Sequence, residues 1–167
     1  MFHTLTEFAH AWEPEIESTQ KILKHLTNAS LSQAVSAEGR TLGRLAWHIT
    51  TTIPEMMNRT GLKISEPDPD APVPATAKEI FHAYNTAAIA LLEQVKSSWN
   101  DESLKVVDDM YGEKWSRAST LRVLISHQIH HRGQMTVLMR QAGLRVPGIF
   151  GPAREDWARM GMEPPAV

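Results

Sequence analysis

Apolar residues that return every third or fourth position, over stretches too long for strands, restrict this chain more than any other feature. From Thr4 to about Leu26 they fall at Leu5, Phe8, Ala9, Trp12, Ile16, Leu23 and Leu26. That period matches an α-helix with one face turned to a core. Pro14 lies inside the stretch and predicts either a kink or a short helix followed by a longer one. Thr41 can cap a second helix reaching about Asn58, with Gly61 as its stop and Pro54 bending its last turn. Thr76 and Glu79 have the spacing of a capping box and open a third helix to about Ser98. A fourth begins between Ser116 and Thr120, reaches Gln141 and stops at Gly143.

The connections differ in character. Residues 65–75, SEPDPDAPVPA, carry four prolines and no aliphatic pattern. They predict a solvent-exposed loop and not a domain boundary, because neither flank could stand alone. Residues 99–114 are acidic and helix-poor, with a Tyr111-Gly112 turn and room for a short strand-like crossover. The tail allows one short helix around Arg154–Met160. Together these segments predict an all-α fold, a four-helix bundle with one or two long connections, forming one domain over residues 1–167.

Composition narrows the chemistry. The chain has no cysteine, which excludes disulfides, thiolate metal ligands and a cysteine nucleophile. Any metal must be held by imidazole, carboxylate or water, and any thiol must come from outside. The formal net charge of −2 argues against nucleic-acid binding driven by overall charge. No apolar run approaches the roughly 18 residues that cross a bilayer. MFHTLTEFAH lacks the basic start and apolar core of a secretory signal, so the expected location is the cytoplasm.

Eight histidines remain to be explained. At about 100° per residue, His127 and His131 share one stripe of the fourth helix, with Gln134 and Leu138 close by and His130 off to the side. Two imidazoles one turn apart can bind one metal ion, although such pairs also occur as hydrogen-bonded core residues. Leu121, Leu124, Ile125, Ile129, Met135 and Met139 form the adjoining apolar sector, while Arg122, Gly133 and Arg140 fall on the solvent side. Arg132 falls among the apolar residues and predicts a buried carboxylate partner or a subunit interface. Gln128 stands where an HExxH metalloprotease carries its glutamate base, which removes the simplest hydrolase reading. On the second helix His48 borders an apolar stripe with Leu45 and Thr52. Glu55 lies two turns on, about 10 Å away and too far to share an ion with His48. It is read as a solvated carboxylate, with a substrate-facing role as the alternative. His3, His10, His25 and His82 lie near chain or helix ends and are not expected to bind metal.

His48 in its LAWH helix, His127 and His131 within HQIHHRGQ, and the following GLRVPGIFGP resemble the DinB/YfiT-like superfamily over nearly the whole chain. The resemblance implies a four-helix bundle, commonly a homodimer, with a divalent metal on His48, His127 and His131 and with His130 left out. Zinc or nickel would suit three imidazoles. Some members of the superfamily use low-molecular-weight thiols such as bacillithiol or mycothiol. The function so implied is a metal-dependent, thiol-dependent S-transferase, or a related hydrolase or isomerase, acting on a small-molecule substrate. The alternative is a non-catalytic, metal-stabilised dimeric module in binding or stress response. Between Lys114 and Arg154 there are seven Lys/Arg and no Asp or Glu. This bias could steer an anionic ligand, or it could pair with acidic neighbours such as Asp108, Asp109 and Glu113. Neither a DNA-binding motif nor a membrane partner is expected.

Overall fold

Each long helix opens on a hydroxyl side chain that accepts a hydrogen bond from a backbone N–H in its first turn. In the computed structural model, which describes residues 1–67 and 71–166, Thr4 starts α1 (Leu5–Lys24) and Thr41 starts α2 (Leu42–Asn58). Thr76 starts α3 (Ala77–Ser98) and Ser116 starts α4 (Arg117–Gln141). Glu7 and Glu79 reach back to complete capping boxes on α1 and α3. Residues 68–70, within the expected proline-rich loop, lie outside the described residues; its described flanks carry no helix or strand.

Pro14 does not divide α1, which runs unbroken from Leu5 to Lys24. The two-helix alternative is therefore wrong. Pro14 and His10 both face solvent, so water can bond the His10 carbonyl that the proline leaves without a donor. Phe8, Trp12 and Ile16, buried on the opposite side, hold the helix across that point. Pro54 is buried inside α2, and the helix continues past it to Asn58.

The helices form an all-α bundle. α2 packs against α3 and α4, and α1 packs against the same two, so sequence neighbours α1 and α2 occupy one diagonal and α3 and α4 the other. Chain segments must therefore cross the bundle ends twice. The α1–α2 connection contains a 3-10 turn at Asn28–Ser32 and is fastened to α2. The Leu42 N–H donates to the Gln33 carbonyl at 2.7 Å. Gly43 packs on Leu31, where an added Cβ would lie 3.1 Å from the Leu31 backbone oxygen.

The α3–α4 connection contains a 3-10 turn at Asp101–Lys105 and then β1 (Val107–Met110) and β2 (Glu113–Ser116). The expected strand-like element is thus an antiparallel hairpin. Tyr111 and Gly112 both have positive φ, 60° and 87°, the backbone of a tight two-residue hairpin turn. Leu104 and Met110 are buried and close the core at this end. The expected tail helix is two short 3-10 turns, Arg154–Asp156 and Ala158–Met160.

On α4, Leu121, Leu124, Met135 and Met139 are buried as their stripe predicts. Ile129 is not; it lies at the edge of that sector and is 37% exposed. Arg132 sits in the core, 2% exposed, and resolves the sequence alternatives in favour of a carboxylate. Its guanidinium donates to Glu15 Oε2 at 2.5 Å and to Thr19 Oγ1 at 3.0 Å, both on α1. Arg132 consequently gives no support to a subunit interface. We expect Arg132→Ala to cost about 3–5 kcal/mol, because it strands the Glu15 carboxylate in the core. A Glu15→Leu/Arg132→Met double variant should recover most of that loss in urea unfolding.

Candidate metal centre

The α2–α4 contact decides where His48 faces. Gln128 is wholly buried on α4, and its side-chain amide donates to the Ile49 carbonyl of α2 at 2.7 Å. Ile49 follows His48 and Gln128 follows His127, so this bond sets the two histidines against each other. His48 Nε2 and His127 Nε2 are 3.1 Å apart. His131, one turn further along α4, brings its ring centroid within 4.7 Å of His48 and 4.3 Å of His127. One nitrogen from each of the three lies within 4.8 Å of the other two. His130 remains exposed and outside the group.

The tautomers suit metal binding. His131 Nδ1 lies 2.7 Å from Gln134 Oε1, an acceptor, so Nδ1 carries the proton and Nε2 keeps its lone pair for the centre. The Gln134 amide reaches on to His130 Nε2 at 3.2 Å. His127 Nδ1 is buried with no hydrogen-bond partner. Two nitrogens that share one ion at about 2.0–2.1 Å lie about 3.0–3.4 Å apart, which the His48–His127 spacing meets. Without an ion, that pair of nitrogens can share only one proton. Three histidines are thus positioned to bind a metal ion.

Electrostatics favour the neutral rings. His48 and His127 are pushed down to about 4, first by burial and then by the neighbouring imidazoles. His131 is lowered too, mainly by burial, against a raising contribution from Gln134. Arg40 adds positive potential at all three. Neutral imidazole is the form that ligates.

Two clefts reach the group. One, of about 400 Å³, is walled by Val35, Leu45, Val137 and Leu138 and meets His131 and Gln134, with Arg40 on its lining. The other, of about 240 Å³, meets His48 and carries Trp47, Arg44, Glu55 and Glu66. Glu55 is exposed, as its solvated reading predicts, and also accepts a hydrogen bond from the Tyr111 hydroxyl at 2.9 Å.

The other histidines lie elsewhere. His3, His10 and His82 are exposed, and His25 caps α1 with Nδ1 2.7 Å from the Lys21 carbonyl. The basic stretch after Lys114 follows the charge-pairing alternative. Lys114 pairs with Asp109, Arg117 with Asp108, Arg132 with Glu15, Arg140 with Glu155 and Arg145 with Asp156. Glu113, expected among these partners, instead accepts from Trp115 Nε1.

Sequence reasoning left the role of Gln134 open and attached no positional role to Gln128 or Arg40. Gln134 had a signal, since it lies three residues from His131 on the same stripe. The other two had none, because their partners are distant in sequence.

The DinB family model matches residues 1–165. The chain belongs to the DinB family. The Bacillus subtilis (strain 168) protein YrdA is 46% identical over 167 residues, covering all of both chains. A DinB-like protein of Bacillus cereus ATCC 10987 has a crystal structure that superposes with a TM-score of 0.86 at 48% identity, over 89% of this chain and 99% of that one. A second DinB-like protein, YjoA of Bacillus subtilis, gives a TM-score of 0.67 at 17% identity, over 88% of this chain and 99% of its own, and shows the shared fold alone. DinB membership agrees with the bundle and with the three grouped histidines. No helix among the described residues is long and apolar enough to cross a membrane.

Two outcomes follow for this DinB chain. The folded imidazoles of His48 and His127 resist protonation down to about 4, whereas unfolded ones titrate near 6.5. The unfolded state therefore binds more protons, and stability of the metal-free protein falls as pH drops through that window. Melting curves should show a shallower fall for His48→Gln/His127→Gln than for the parent. Separately, Gln134→Leu should weaken zinc binding about 10–100-fold in chelator competition, with the fold retained by circular dichroism.

Proposed function

We propose that this DinB-family chain is a divalent-metal-dependent enzyme whose zinc or nickel ion is held by His48, His127 and His131. The observation that carries the reading is the meeting of three imidazoles, one of them oriented by Gln134 and lining a cleft. When bound, such an ion supplies Lewis acidity that drives a coordinated thiol toward thiolate or acidifies a water.

The chain's own residues do the rest. His131, held by Gln134, presents Nε2 to the centre while its Nδ1 proton stays engaged. Leu45, Val137 and Leu138 keep one approach to His131 apolar. Gln128 cannot serve as a base: it is uncharged, buried and spent on the Ile49 carbonyl. With no cysteine in the chain, sulfur must come from outside. The reaction we assign, on the family resemblance, is S-transfer. The sulfur of a low-molecular-weight thiol such as bacillithiol or mycothiol bonds to an electrophilic carbon of a small molecule as the bond from that carbon to its leaving group breaks. The leaving group departs with the electron pair, and the thiol proton passes to it or to water.

Untagged protein should carry one equivalent of metal, and His131→Ala should lose it while His130→Ala keeps it. Less than about a tenth of an equivalent after gentle purification overturns the site. A panel of thiols against model electrophiles should give turnover that a chelator abolishes. A protein that binds metal and gains thermal stability from it, yet turns over none of them, is the non-catalytic module instead.

A further inference from the structure

The two clefts at the histidines differ in charge. The one at His48 carries Arg44 and two carboxylates, Glu55 and Glu66, on its lining. The one at His131 has Arg40 as its single charged lining residue and is otherwise largely aliphatic. Among the described residues Arg40 has no ion-pair partner, although five of the seven basic residues between Lys114 and Arg154 have one.

Arg40 is exposed, and only the backbone on either side of it is anchored. It precedes the α2 cap Thr41, and the segment before it is fastened to α2 through the Gln33 carbonyl and through Leu31 packed on Gly43. A guanidinium at the rim of an apolar cleft, with no acid to neutralise it, is free to form a bidentate pair with an anionic ligand end group. At about 400 Å³ the cleft is at the small end of ligand pockets.

We propose that this cleft selects a ligand with an apolar body and a carboxylate end group, the carboxylate paired with Arg40 and the body lying against Val35, Leu45, Val137 and Leu138. Arg40 is then a specificity-determining residue and not a metal ligand. The inference rests on the reading of the three histidines as the reaction centre, which it supplies with a substrate class. Arg40 and His131 line the same cleft, which places the guanidinium on the approach to that centre.

The test compares octanoate with octanamide, equal in length and differing in charge, by calorimetry on the zinc-loaded and the metal-free protein. At low salt octanoate should bind about 5-fold more tightly than the amide in both forms, the range of a partly exposed ion pair, and the preference should shrink toward unity in 1 M salt. Arg40→Gln should bring the two ligands within about 2-fold of each other, in a protein that still takes up one equivalent of zinc. Equal binding of the two by the parent protein overturns the inference, and so does a preference that survives Arg40→Gln, which would place the carboxylate on the metal. A protein that takes up no zinc overturns the metal reading instead, and the metal-free comparison still judges Arg40.

Discussion

Register between α2 and α4 is the constraint on which the rest of the centre depends, and a single buried amide sets it. Gln128 donates to the Ile49 carbonyl across the α2–α4 contact. The Gln128 Oε1 is already buried without a partner, and losing the N–H bond as well would cost about 1–3 kcal/mol, so the bond resists sliding of one helix along the other. With that register set, His48 and His127 face each other and His131 follows one turn later. A second buried bond, Arg132 to Glu15, ties the same helix to α1 only a few residues further on. α4 is thus gripped on two sides where it carries the histidines.

That grip matters for chemistry because a three-imidazole site tolerates little misplacement. Burial and mutual repulsion disfavour protonation of the rings and so favour the neutral form that ligates. Gln134 settles which nitrogen of His131 faces inward. The surroundings then divide the approaches. One side is aliphatic with a lone arginine, and the other mixes cation and carboxylate. The two approaches to the histidines therefore differ in polarity and charge.

Much of the fold was readable because its signals are local. The caps at Thr41 and Thr76, the stop at Gly143 and the apolar stripes each depend on residues within a few positions. Pro14 misled because its effect depends on whether the orphaned carbonyl faces water, which the one-dimensional pattern does not state. Ile129 misled because an apolar sector can be wider than the groove that receives it. The basic stretch after Lys114 left two readings open, and only the placement of Asp108, Asp109, Glu15, Glu155 and Asp156 chose between them.

The sequence by itself determined the helices, the faces of α2 and α4 that carry histidine, and the absence of any thiol in the chain. Only the tertiary structure decided that His48 meets His127 across 79 residues, that Arg132 is spent on Glu15, and that Arg40 reaches the cleft. The reason is one of range. A helical repeat places side chains on a face through bonds within a single turn, whereas the meeting of two faces depends on how four helices pack and which buried polar groups must find partners.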